Sequence, residues 1–204
     1  MRPELKGTND ASSEKCVMDS SFRLRIPTER TAVLIGPRGS VKRKIQEIMK
    51  IDLIIDSETG EVEIRPRRGM DDPTVPLKVR SVVTAIGRGF PPATALRLTN
   101  DDMVLEVLDL REFTGHSAGD MARIKGRIIG RDGRTRRIME ETTDTDISIY
   151  GHTVSIMGTV EEVQIAREAI IRLIQGSEHG AVYKYLGRMR HELKKERLKL
   201  WEDR

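Results

Sequence analysis

The chain has 204 residues, 37% apolar and 33% charged, with a formal charge of +4 and a pI near 9.3. That length allows one large domain or two small ones, and the basic balance suits a polyanionic partner without proving one. Lone Cys16 excludes an intrachain disulfide, four scattered histidines without C-x-x-C or H-E-x-x-H spacing argue against zinc, and no run is apolar enough for a membrane span or signal peptide, which makes a cytoplasmic protein the expectation.

Residues 1–20 show no periodicity and read as a disordered tail. Phe22-Arg23-Leu24-Arg25-Ile26 alternates as a strand that Pro27 stops. Thr28 opens a short helix that runs to Ile35. After Gly36-Pro37-Arg38-Gly39, Ser40 is placed to cap a helix over residues 41–50, with Val41, Ile45, Ile48 and Met49 on one face. Leu53, Ile54 and Ile55 form a strand, Ser57-Glu58-Thr59-Gly60 turns it, and Val62 and Ile64 return. Arg65-Pro66-Arg67-Arg68-Gly69 reads as a solvated linker, and residues 76–86 as a helix. The breaker pair Pro91-Pro92, with a short helix over 93–98, marks the domain boundary.

Residues 104–110 alternate as a strand, and 111–119 form a longer connection. The order then repeats. A helix over 120–129 leads to Gly130-Arg131-Asp132-Gly133 and a second helix over 134–142. Ile147 and Ile149 lie in a strand, Gly151-His152 turns, and Val154 and Ile156 return. An amphipathic helix over 160–174 ends at Gly176. A last basic helix over 181–201 spaces Val182, Leu186, Met189, Leu193 and Leu200 helically. That stripe is expected to pack while Arg188, Lys194, Lys195 and Arg197 stay solvated. The layout is thus a tail (1–20), a first unit (21–90), a linker (91–102), a second unit (103–176) and a basic C-terminal helix (177–204).

The repeat is the main organisational feature. Ile35-Gly36-x-x-Gly39 recurs as Ile129-Gly130-x-x-Gly133, and Leu53 and Ile147 stand equally far beyond their loops, as do Ile55 and Ile149. Paired glycines let a backbone turn sharply and let another backbone come close. The helix that starts there offers free N–H groups to an anion. Cations crowd both loops: Arg38, Lys42, Arg43 and Lys44 at the first; Arg127, Arg131, Arg134, Arg136 and Arg137 at the second. Arg127, Arg131, Arg134 and Arg137 would share a helical face if the loop is tight. Phosphate is the natural ligand. Aromatics are sparse (Phe22, Phe90, Phe113, Tyr150, Tyr183, Tyr185, Trp201), which counts against base stacking on an RNP-type sheet. Glu140-Glu141 and Asp101-Asp102 read as solvated faces or caps. His179 and His191 read as surface residues and Trp201 as a packing anchor. No nucleophile, acid–base pair or P-loop emerges, so neither enzyme activity nor a cofactor is expected.

The element order and the I-G-x-x-G loops resemble the KH domain, present twice. The resemblance implies an α+β fold of two tandem type I KH domains, each a three-stranded sheet with helices on one face. Type I is favoured because, in the first copy, only the tail precedes the opening strand, so the extra strand and helix follow the core. It also implies a GXXG loop clamping about four single-stranded nucleotides, with bases in an apolar groove. The matching groove positions are Ile35, Ile45 and Ile55 in copy one, and Ile129, Met139 and Ile149 in copy two. The residues implied to bind RNA are Ile35, Gly36, Pro37, Arg38, Gly39, Lys42, Arg43 and Ile55, then Arg127, Ile129, Gly130, Arg131, Asp132, Gly133, Arg134, Arg137 and Ile149.

Both repeats, Arg88-Gly89-Phe90 with Asp101-Asp102 and Leu105-Glu106, and Leu173-Ile174-x-Gly176 before Val182-Tyr183 are similar to the "Dim two" or "partner of Nob one" family of small-subunit ribosome assembly. Two intact loops resemble its archaeal form, and scarce Asn and Gln hint at a hot-living source. The resemblance implies binding near the 3′ end of small-subunit rRNA, assistance in its processing, and contact with a Nob-type endonuclease and the alpha subunit of initiation factor two. A general RNA-binding or decay adaptor, or one copy serving as a protein-binding module, is the alternative. Three departures stand out. Asp132 opposes a phosphate inside the second loop, Arg136 replaces a usually apolar residue, and Pro37 removes one donor from the first loop. Copy two is expected to clamp its ligand differently.

Overall fold

The structure, a computed structural model, describes residues 22–67, 72–114 and 117–202, with the helical backbone alone over 196–202. The readings placed on residues 1–20, Arg68, Gly69, His116 and the side chains of Arg197, Leu200 and Trp201 lie outside the described residues. The fold is mixed α+β, with two three-stranded antiparallel sheets and helices packed on them.

In the first unit, β1 (Phe22–Arg25), α1 (Thr28–Ile35), α2 (Ser40–Met49), β2 (Ile51–Ile55), β3 (Glu61–Pro66) and α3 (Val75–Gly87) follow in order. The sheet order is β1-β3-β2. Strand alternation sends Val62, Ile64, Ile51 and Leu53 into the core with Leu34, Ile45, Val79, Val83 and Ile86. The opposite face carries charge: Glu63 pairs with Arg23 and Arg65, and Arg67 with Asp52. Arg65 and Pro66 therefore belong to β3 and Arg67 is tied to Asp52, so this stretch is not a bare linker. Ser40 does not cap α2. Gly39 holds the cap position in the left-handed region, and Ser40 is the first helical residue. Ile48, expected on the packed face, is half exposed.

Residues 91–102 are not a passive linker either. The helical turn α4 (Pro92–Ala95) and the 3-10 turn Leu96–Thr99 lie on α3, and Phe90, Ala95 and Leu98 complete the first core.

The second unit runs β4 (Met103–Asp109), α5 (Arg111–Thr114), α6 (Ala118–Ile129), α7 (Arg134–Thr143), β5 (Asp146–Tyr150), β6 (Thr153–Thr159) and α8 (Val160–Ile174). Its sheet order, β4-β6-β5, repeats the first. Ser117 caps α6 by accepting from the Asp120 N–H at 3.2 Å. The stretch 111–119 thus contains a helical turn and the start of α6. Glu162 accepts from the Thr159 N–H at 3.1 Å at the start of α8.

The last helix, α9 (His179–Glu202), is not a separate appendage. Val182 and Leu186 are buried in the second core beside α7 and α8, while Arg188, Lys194 and Lys195 are exposed.

The two units join through the second sheet's outer face. Met157 is fully buried in the first core, with Met103 and Leu105 packed against it. Around this seam Ser148 donates to Arg88 O at 2.8 Å, Arg97 pairs with Asp146 at 2.5 Å, and the Tyr150 hydroxyl donates to Glu29. Burial and the neighbouring Glu29 carboxylate both raise the Tyr150 pKa.

Candidate nucleic-acid interface

The two glycine loops adopt one backbone conformation. Gly36 has φ 71° and ψ 173°, Arg38 has 52° and 28°, and Gly39 has 77° and 17°. Gly130, Asp132 and Gly133 follow at 72° and 177°, 54° and 30°, and 73° and 12°. In each loop the first glycine closes the preceding helix: Gly36 N–H donates to Ala32 O at 2.9 Å, and Gly130 N–H to Gly126 O at 2.8 Å.

The glycines of a loop are required for different reasons. A Cβ on Gly36 would come within 2.5 Å of Val41, and one on Gly130 within 2.1 Å of the Thr135 hydroxyl. Beside Gly39 and Gly133 there is open space, so only positive φ demands glycine there. The open side faces outward, where a ligand backbone can approach. The third loop position is left-handed in both copies, a region Asp occupies more readily than Arg. That gives Asp132 a conformational reason to sit where it does.

Behind each loop a helix begins with the wrong charge. The first turns of α2 and α7 hold no acidic residue, and neither N-cap supplies a side-chain hydrogen bond. Both helices begin instead with cations, Lys42 and Arg43 in α2, Arg134, Arg136 and Arg137 in α7. Cations at a helix N-terminus oppose the macrodipole. An anion bound there relieves that cost and meets the free N–H groups. Arg38, Arg43, Lys44, Arg131, Arg134 and Arg137 are exposed and Lys42 is half-buried. Arg43 folds back to donate to Arg38 O at 2.9 Å and so braces the first loop. Arg136 pairs with Glu140.

Arg127 departs from the sequence reading. Its guanidinium donates to Leu173 O at 3.0 Å and Ser177 O at 2.6 Å, tying α6 to the end of α8. Arg30 does the same in the first unit, donating to Ile86 O and Phe90 O at 2.8 and 2.9 Å. The acceptors occupy matching places, whereas the two arginines stand one helical turn apart. Arg127 is thus a brace and does not reach out as a free cation. The apolar positions also divide. Ile45 and Met139 are fully buried in the cores and cannot line a groove. Ile35, Ile55 and Ile149 are half-buried and Ile129 is exposed, so these four remain near the surface.

Sequence reasoning missed two groups. Glu140, read as part of a solvated face, accepts the Ile147 N–H of edge strand β5 at 2.9 Å. Its counterpart Gln46 donates instead to the Asp52 side chain at 3.4 Å. His179, read as a lone surface residue, meets Arg127 O through Nε2 at 3.0 Å, and Tyr183 bonds the Thr135 hydroxyl at 3.0 Å. Both therefore support the second loop. The helical spacing that starts α9 was the available signal; its docking site was not.

No group of side chains among the described residues could hold a metal ion, and no described helix is long and apolar enough to cross a membrane.

Comparison with known proteins agrees with this geometry. Residues 104–191 match the model of the eukaryotic-type KH domain, type I, of the PNO1 second domain. A KH domain-containing protein of Methanocaldococcus jannaschii is 43% identical over 179 residues, 88% of this chain and 78% of the relative. The pre-rRNA-processing protein PNO1 of Candida albicans is 28% identical across 80% of this chain, which spans 59% of that relative. A crystal structure of the a/eIF2alpha–aDim2p–rRNA complex from Pyrococcus horikoshii superposes with a TM-score of 0.80 at 43% identity, covering 86% of this chain and 97% of that one. Loop geometry, element order and these likenesses converge, and the chain belongs to the archaeal Dim2/PNO1-type family of KH-domain proteins.

Proposed function

We propose that this protein binds single-stranded RNA through two type I KH domains and acts in maturation of the small ribosomal subunit. The observation that carries the reading is the pair of superposable, outward-facing glycine loops, each backed by a helix that begins with cations and no acid. In this reading the first unit is a KH domain like the second. Gly36, Pro37, Arg38 and Gly39, with Lys42 and Arg43, hold one run of phosphates. Gly130, Arg131, Asp132 and Gly133, with Arg134 and Arg137, hold another. Ile35 with Ile55, and Ile129 with Ile149, meet the bases, and Arg127 acts only by bracing its loop.

The target is the 3′ region of small-subunit rRNA, whose processing the protein assists without itself cleaving it. The alpha subunit of initiation factor two is a partner, as in the related archaeal complex, and a Nob-type endonuclease is another. Binding acts in the cytoplasm of an archaeal cell. Because the seam at Met157 joins the units, the two loops present their segments at a set spacing, which raises the effective concentration of the second segment once the first is bound. Salt weakens binding with a log–log slope of about −0.7 per phosphate contact.

The test is anisotropy with rRNA 3′-end oligomers and scrambled controls, on Arg38→Asp and Arg131→Asp chains whose folding is checked by circular dichroism. Weakened binding by both supports two RNA-binding loops. Loss in one alone makes the other copy a protein-binding face, and loss in neither overturns the loop assignment.

A further inference from the structure

A cleft of about 960 Å³ opens beside the second loop, between α6 and the start of α9. Its walls include Arg123, Arg131, Asp132, Arg134, His179 and Tyr183. Ile129 and Ile149 lie outside it, so it is distinct from the apolar surface assigned to the bases. The volume is ample for one nucleotide.

The chemistry of the walls narrows the ligand. Arg131 and Arg134 make no ion pair among the described residues, and Arg123 reaches Asp120 only at 3.3 Å. These cations suit phosphate. The Tyr183 hydroxyl is committed to Thr135 and His179 Nε2 to the Arg127 carbonyl. Both rings are thereby held in place, tilted 56° with centroids 6.3 Å apart, and His179 keeps its second ring nitrogen for a base edge. Phosphate-seeking arginines beside two fixed rings fit a nucleotide better than a bare anion. Among the described residues the first unit offers no such wall. The place of His179 after α8 is taken after α3 by Pro92, and the helical turns there end at Thr99.

We infer that the second unit holds one nucleotide beyond those clamped by its loop, with the phosphate on Arg123 and the base against His179 and Tyr183. This rests on the RNA reading of the loop. It makes the second copy's footprint on a single strand longer than the first's, with α9 as the added wall.

The test is anisotropy of the full chain with a minimal rRNA 3′-end oligomer and with versions lengthened by one or two nucleotides at either end. Lengthening at one end is expected to tighten binding about fivefold or more. Arg123→Ala should remove that gain while leaving affinity for the minimal oligomer within about twofold, and His179→Ala should remove the gain as well. The inference is overturned if neither end gives a gain, or if both variants keep it. The loop reading fails on a different result, a minimal oligomer whose binding Arg131→Asp does not weaken, so the two failures stay apart.

Discussion

Arg65 and Met157 hold the same place in the two sheets, opposite Asp52 and Asp146 respectively. Arg65 is exposed and paired with Glu63, whereas Met157 is fully buried. Asp52 is answered from within its own unit by Arg67, but Asp146 is answered across the seam by Arg97. One three-stranded design is thus finished in two ways. The first sheet turns a ladder of ion pairs to water. The second turns methionine and leucine onto the first unit's helices. The repeat copies the core and the loop, and the outer faces decide how the copies sit together.

Exchanging these two residues should give the largest effect. Met157→Arg buries a cation opposite an Asp146 carboxylate that Arg97 already pairs, and is expected to cost about 3–5 kcal/mol in urea unfolding. Arg65→Met removes an exposed ion pair and should change stability by less than ~1 kcal/mol. Equal effects would mean that the seam is not a packed interface.

Next comes the asymmetry within each loop. Gly130→Ala meets both positive φ and the Thr135 hydroxyl at 2.1 Å, and about 2–4 kcal/mol of destabilisation is expected. Gly133→Ala meets open space and positive φ alone, at about 1–2 kcal/mol. Thermal melts of the pair, repeated at Gly36 and Gly39, would show whether both loops share this division.

A smaller difference lies in acid. Arg111 beside Asp109 holds its carboxyl down to about 2, from an ordinary 3.8. A depressed folded pKa means stability that is complete above the ordinary value and is lost as pH falls from about 4 to 2. After allowance for solvent screening this is about 1 kcal/mol, and Asp109→Asn should flatten that part of the stability–pH curve. The first unit spreads the same effect over Asp52 and Glu63, lowered by Arg67 and Arg65, and Asp56 and Asp72, lowered by bonds from Thr59 and Thr74. Acid sensitivity should therefore rest on one carboxyl in the second unit and on several in the first, so tryptic susceptibility of the second half should change more after Asp109→Asn than that of the first between pH 4 and pH 2.

The smallest effect concerns the loop charge. Asp132→Arg gives the second loop the arginine that the first has in its third position, and RNA affinity should rise about threefold at low salt, with less gain at high salt. An unchanged affinity would show that phosphates bypass that position.

Much of the fold was legible. The alternation of Phe22 to Ile26, the hairpin at Gly60, and the Ile-Gly-x-x-Gly recurrence all report rules that act over a few residues. The half-turn errors, such as Ser40 read as a cap, arise because Gly39 took the left-handed cap position that the loop needed. Of the site, the loops and their cations could be read directly. The commitment of Arg127 to two carbonyls could not, because its acceptors lie far along the chain at Leu173 and Ser177. Ile45 and Met139 were misassigned for a related reason. An apolar helix residue serves a core or a groove equally well until the neighbouring sheet is in place.

Sequence alone determined the repeated element order, the two glycine turns and the cations beside them, because strand alternation, helical spacing and left-handed backbone preference are local. Only the tertiary structure decided that residues 91–102 and α9 complete the cores, that the second sheet is covered by the first unit, and that His179 and Tyr183 stand beside the second loop. Burial depends on which surface a distant stretch of chain brings into contact, and side-chain pattern does not encode that partner.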